Sequence, residues 1–323
     1  MTRSHVLLST GVLCVVGVVT GCSKSIPTSP VTPTTVGVTG ISAVLSNDQY
    51  SFVALEPFSK ESSQAVGINN RGDVVGTFGK EPENAIEERE GGYLYHDRKF
   101  SKIKYPNAIS YGAQGINKGG VVVGYFADKA TTGVLGPHDG FVLKGGSFTK
   151  PFAKLKGAPK RSQYSDVTFR AINDDGDIVG TVTTLDGYRG FRIRKGRFHL
   201  IDCGQSRTQA EGINNRGDVV GECDFDDAFL VHGGVFTVFD YPGAIETVAR
   251  GINDDGLVVG SYAIDLDGAD HGFIRDVNGN FTAIDFPDAL ETSLSGINKH
   301  GDLVGTYIDA DGRSIGFVAL AKH

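Results

Sequence analysis

The chain has no tryptophan, one methionine and four cysteines in 323 residues. It contains no run of Lys and Arg, and acidic residues outnumber basic ones 38 to 31, for a net charge of −7. That balance leaves no electrostatic footprint for nucleic acid. No Gly-x-Ser-x-Gly elbow, His-Glu-x-x-His helix or phosphate-binding glycine loop occurs, so no reaction is announced by a linear motif. The eight histidines are scattered without metal-ligand spacing. The one long apolar run, Val6 to Val19, falls short of the about 20 residues that a membrane-spanning helix needs.

Glycine, by contrast, is abundant at 45 residues, and it is regularly placed. A phrase of the form Gly-Ile-Asn-x-x-Gly-x-Val-Val-Gly recurs six times, centred on Asn69, Asn117, Asn173, Asn214, Asn253 and Asn298. The spacings are 48, 56, 41, 39 and 45 residues (117−69, 173−117, 214−173, 253−214 and 298−253). A period of roughly 40–50 residues with β-type content is the length of one propeller blade.

The copy after Val248 reads most clearly. A strand over 248–252 leads into an Asn253–Gly256 turn and a second strand over 257–262. A third strand spans 272–275, Asn278-Gly279 makes a type I′ hairpin turn, and a fourth strand begins at Phe281. Adjacent valines at 74–75, 122–123, 219–220 and 258–259 suit a second strand buried on both faces. The Gly that follows in each copy (76, 124, 180, 221, 260, 305) implies close backbone approach where blades crowd toward an axis. The recurrent Asn is read as a turn residue whose side chain caps the next backbone N–H groups.

The last copy stops one strand short, and Phe52-Val53-Ala54-Leu55-Glu56-Pro57 has the pattern of the missing strand. The expected fold is therefore all-β: a six-bladed propeller of four-stranded antiparallel blades over 45–323, closed by an N-terminal strand that completes the last blade.

Ahead of it, residues 1–21 read as a lipoprotein signal peptide. Arg3 supplies the charged region, and Val19-Thr20-Gly21-Cys22 resembles a lipobox. Cys22 would then carry the lipid and tie the protein to a membrane. Residues 22–44, rich in Pro, Ser and Thr, would form a disordered tether. The expected location is a bacterial cell envelope, at the outer membrane or cell surface.

The repeated phrase, with His271-Gly272-Phe273 and Phe281-x-x-Ile284-Asp285-x-Pro287, resembles the HAF-type extracellular β-repeat family. The likeness runs over residues 50–323. It implies secretion and a propeller-like fold, and it brings no reaction. Its His recurs clearly only at His138 and His271, which weakens any idea of a histidine ring.

Candidate sites follow from spacing. Cys203 and Cys223 should lie at one face of adjacent blades, where an oxidising compartment would join them. Asp265, Asp267, Asp270, Asp309 and Asp311 stand in loops between second and third strands. Such loops would suit calcium, although none completes an EF-hand; no other cofactor is implied. With no catalytic motif, the functional expectation is a non-enzymatic binding or scaffold module for a protein or glycan partner. The alternative is a secreted carbohydrate-active enzyme, a hydrolase or lyase, with a carboxylate pair at the propeller axis. Function is expected where the copies differ, in the acidic loops and in the insertions 80–91, 128–137 and 154–167.

Overall fold

Each copy of the repeat folds into one antiparallel sheet of four strands. In the blade around Asn253 these are Glu246–Ile252, Val258–Ala263, His271–Arg275 and Phe281–Ala283. The computed structural model describes residues 47–58, 62–79, 91–128, 137–266 and 268–322, all within one unit, Ala43–His323. The expected signal peptide (1–21), tether (22–44) and lipid-bearing Cys22 lie outside the described residues, as does Asp267. Among the described residues there are six four-stranded sheets, paired in sequence order except for the last. The fold is a six-bladed β-propeller.

The last sheet explains how the ring closes. Its order is Tyr50–Leu55, Ser314–Ala321, Leu303–Ile308, Glu291–Ile297, so the first strand of the propeller is the outermost strand of its final blade. The pairing runs from Tyr50 opposite Ala321 to Leu55 opposite Gly316. Leu55 is buried and joins Ala65, Val74, Val304 and Val318 in a cluster that bridges the sixth and first blades. The sixth blade is thus completed by the propeller's first strand.

The valine pairs of the second strands are fully buried, as strands flanked by a blade on each side must be. One aromatic per third strand (Tyr93, Phe141, Phe191, Phe229, Phe273 and Phe317) is buried at the core of its blade. The recurrent glycine lies beneath that ring, and its reason differs from the sequence expectation. A side chain at Gly221 would strike the carbonyl of Gln209, on the inner strand of the same blade, and then the Phe229 ring. The close approach is inside a blade. The approach between blades is made by the other glycine of the phrase: a side chain at Gly212 would meet the Arg250 carbonyl and Gly251 of the next blade.

The turn of Asp276–Asn280 also departs from expectation. Gly279 has a positive φ of 87°, but Asn278 is not in the left-handed region that a type I′ turn demands. Asp276 Oδ1 instead accepts from the N–H groups of Asn278 and Asn280, at 2.9 and 2.8 Å, and holds a wider loop. Among the described residues the two-residue hairpin turns with positive φ at both positions are Asp97-Arg98, Gly145-Gly146, Lys195-Gly196 and Gly233-Gly234.

The six Asn side chains do more than cap their turns. Each Oδ1 accepts from backbone N–H groups of its own turn; in Asn253 these are Asp255 and Leu257, at 3.1 and 3.0 Å. Each Nδ2 then donates to the backbone carbonyl of the corresponding Asn in the next blade. The bonds run from Asn69 to Asn117 (3.1 Å), to Asn173 (3.1 Å), to Asn214 (3.0 Å), to Asn253 (3.0 Å), to Asn298 (3.2 Å) and back to Asn69 (3.4 Å). A closed ring of amide hydrogen bonds therefore belts one end of the axis. Truncating Asn214 to Ala would break one link and orphan buried partners, including the Nδ2 bond to Asp218 at 2.8 Å. A loss of about 2–4 kcal/mol is expected, measured by denaturant unfolding, because buried groups left unpaired cost about 1–3 kcal/mol each.

Candidate functional site

Position along the inner strand decides what reaches the axis. In every blade the pairing of inner and second strands slips by one residue, between Ala65/Gly67, Ala113/Gly115, Phe169/Ala171, Ala210/Gly212, Ala249/Gly251 and Leu294/Gly296. Each slip is a β-bulge, which leaves one residue without a ladder partner and re-aims its side chain. The six bulged residues are Val66, Gln114, Arg170, Glu211, Arg250 and Ser295. All six line a cavity of about 370 Å³ on the axis.

The bulge is thus how a repeat built for sameness presents six different side chains to one space. At the opposite end the axis narrows to about 60 Å³, where Ile68, Ile116, Ile172, Ile213, Ile252 and Ile297 stand beside the Asn ring. The cavity opens on the end where inner strands begin and the loops from second to third strands emerge.

A neighbouring cavity of about 450 Å³ shares Arg170, Glu211 and Arg250 with the first, and adds Arg207, Gln209, Glu222, Phe225, Asp226 and Glu246. Glu222 follows the recurrent Gly221 on the second strand Val219–Cys223, where other blades place Thr77, Tyr125, Thr181, Ser261 and Thr306. It is buried, and it accepts from Gln209 Nε2 at 2.9 Å and pairs with Arg207 at 3.2 Å. Burial pushes the Glu222 carboxyl above the usual carboxylate range, and the charge of Glu211 adds to this against the opposing pull of Arg207. Glu211 has a different setting, with the Arg170 guanidinium 3.4 Å away. Arg170 also donates to Gln114 Oε1 at 3.2 Å.

The site therefore brings two carboxyls near one another: Glu222, which burial raises above its ordinary value, and Glu211, 3.4 Å from the Arg170 guanidinium.

The rim is aromatic. The Arg207 guanidinium lies 4.9 Å from the Phe225 ring centroid and 5.3 Å from that of Tyr188. Phe225 is 58 % exposed beside the cavity. It offers an apolar face next to the charged interior.

Of the sequence-derived candidates, Cys203 and Cys223 are joined by a disulfide with Cα atoms 6.0 Å apart. Among the described acidic-loop residues, Asp226 and Asp270 reach the cavity beside Glu246, while others serve their own turns. Asp309 bonds Arg313 at 2.6 Å and caps the N–H groups of Asp311 and Arg313, so its oxygens serve its own turn. Asp270 lines the axial cavity, while Asp265 faces Gly268 of its own loop. Among the described residues no group of three or more His, Cys, Asp or Glu is placed to hold a metal ion. The residues that do converge were missed, although a signal was present. The position three before each Asn reads Val, Gln, Arg, Glu, Arg, Ser, the most varied in the phrase.

No family model and no curated protein matches the chain. Among solved structures it is similar to a gluconolactonase from Xanthomonas campestris, at 11% identity and a TM-score of 0.52, over 85% of this chain and 91% of that one. An α-L-arabinofuranosidase from Fusarium graminearum (8% identity, TM-score 0.48) matches over 84% of this chain and 98% of its own. A putative oxidoreductase (glucose dehydrogenase) from Thermus thermophilus (12% identity, TM-score 0.43) matches over 84% of this chain and 100% of its own. At these identities the likeness is one of fold.

The expectation of a non-enzymatic binding or scaffold module is corrected by the axis itself, which carries a cavity of convergent charged side chains where a scaffold would present a shallow polar face.

Proposed function

We propose that the chain is a carbohydrate-active enzyme that cleaves glycosidic bonds at the axial cavity. The observation that carries this reading is the Glu222–Glu211 pair in the axial space, with Glu222 buried and raised above its ordinary value by that burial. In this reading Glu222 donates its proton to the departing glycosidic oxygen as the C–O bond breaks. Glu211, as carboxylate, takes the proton that balances it, from water in a hydrolase or from the sugar ring in a lyase. The arginines neutralise charge that develops in the water-poor interior. Phe225 offers a platform on which the C–H face of a sugar ring can stack.

A bacterial envelope location, facing extracellular glycans, belongs to the same proposal; the signal-peptide pattern over residues 1–21 and the lipobox-like Val19-Thr20-Gly21-Cys22 support it, as does the resemblance to extracellular β-repeat proteins. The test is a screen of polysaccharides and oligosaccharides with wild type and Glu222→Gln, reading new reducing ends and new 235 nm absorbance together. Cleavage of one glycan class by wild type, abolished in the variant, is the expected result. Cleavage unaffected by the substitution would move the site elsewhere.

A further inference from the structure

Three arginines enter the axial space, and they are not equivalent. Arg170 has Glu211 and Gln114 as partners, and Arg207 has Glu222. Arg250, on the inner strand Glu246–Ile252, has none: among the described residues its side chain makes no hydrogen bond and no ion pair, and its Nε, like those of Arg170 and Arg207, is buried without a hydrogen-bond partner. It acts on Glu222 and Glu246 only through space. Arg250 nonetheless lines both cavities.

A guanidinium is a rigid fork of five donors that is never neutral in a protein, and desolvating it without an acceptor is costly. Nothing in the packing demands a cation here, since the equivalent bulge positions of other blades hold Val66 and Ser295. A planar fork left open in a cavity matches a planar anion, and among sugars that anion is the carboxylate of a uronic acid, which the fork can grip with two parallel bonds.

We propose that Arg250 recognises the carboxylate of a uronic-acid residue, so that the substrate is a polyuronate or another uronate-bearing glycan. This rests on the reading of the cavity as a glycan-cleaving site and names its substrate class. Arg170 and Arg207 are already engaged with Glu211 and Glu222, whereas the Arg250 fork is uncommitted. The further acidic residues nearby, Glu246, Asp226, Asp270 and Glu291, set the limit on charge: they oppose a densely anionic ligand and favour one carboxylate at one point.

The test uses calorimetric titration of the full chain with tetramers of galacturonic, glucuronic and mannuronic acid, and with the same tetramers after reduction of their carboxyls to alcohols. One uronate tetramer is expected to bind, and its reduced form to bind at least about tenfold more weakly, a difference of about 1.4 kcal/mol. Arg250→Gln should impose the same loss on the uronate and leave the reduced form within about twofold. Arg250→Lys keeps the charge and removes the fork, and should fall between the two.

Melting temperature provides the second readout. An unpartnered guanidinium can be replaced without loss, so Arg250→Gln should melt at or above wild type; a sharp fall would make the residue a structural one and overturn the inference. Equal binding of the reduced tetramers, no binding of any uronate, or preference for a sulfated neutral tetramer would also overturn it. The two readings fail separately. Cleavage of neutral glycans that depends on Glu222 would sink the substrate class and keep the enzyme. Arg250-dependent uronate binding without cleavage of any glycan would do the reverse.

Discussion

Deleting the segment Tyr50–Leu55 is expected to lower the melting temperature by roughly 10 °C or more, on the scale of about 2–4 °C per kcal/mol for a chain of this size. The segment pairs at six positions along Ser314–Ala321. It buries Tyr50 and Leu55, and it brings Phe52 against Phe286 and Phe317 at 5.5 and 5.9 Å. Burying one large apolar side chain contributes about 1.5–3 kcal/mol, and each hydrogen bond about 0.5–1.5 kcal/mol net. Several of each are lost together. The deletion also leaves the sixth blade with three strands and an open edge, which invites pairing with other chains. A matched control separates strand loss from chain shortening. Moving residues 47–57 to the C-terminus, behind a short Gly/Ser linker, should restore the melting temperature to within a few degrees. An unchanged transition in the deletion would show that the ring does not depend on this closure.

The second large effect concerns Glu222. If its proton is delivered to the leaving oxygen, Glu222→Gln should reduce kcat by about 10²–10⁴-fold, the usual range for loss of a general acid. The pH profile carries a sign that a structural role would not reproduce. Burial raises the Glu222 pKa, so the active protonated form persists to higher pH than an ordinary carboxyl allows and is lost as pH rises through the raised value. Activity should therefore fall on the alkaline side in wild type. That limb should vanish in Glu222→Gln. Aryl glycosides with good leaving groups need little protonation, and should lose far less activity in the variant. A uniform loss across leaving groups, with that limb intact, would assign Glu222 to packing instead.

What could be read in the sequence was whatever repeats. The period, the valine pairs and the terminal strand are each stated by residue type at fixed spacing, and each is set by backbone or burial demands that act on every blade alike. Two things escaped for physical reasons. The Asn ring is made from side-chain amide to backbone carbonyl across 39 to 56 residues, and 229 at the closing link, and a carbonyl has no residue identity to betray it. The bulges add one residue to a strand without changing the apolar pattern on either side. Alignment of the six copies then makes Arg170, Glu211 and Arg250 look like noise, although their variation was the signal. The acidic loops drew attention because Asp and Gly suit both turns and cations, and at Asp309 the turn accounts for both carboxylate oxygens.

The same contrast organises the molecule: what recurs builds the ring, and what varies at the bulges furnishes its axis. The most direct test is a crystal structure of Glu222→Gln soaked with an oligosaccharide that the wild type cleaves. The account predicts the sugar chain in the axial cavity, its scissile oxygen within hydrogen-bond reach of residue 222 and one ring over Phe225. Oligosaccharide bound on the outer blades or at the Asn ring, with the axial cavity empty, would contradict it.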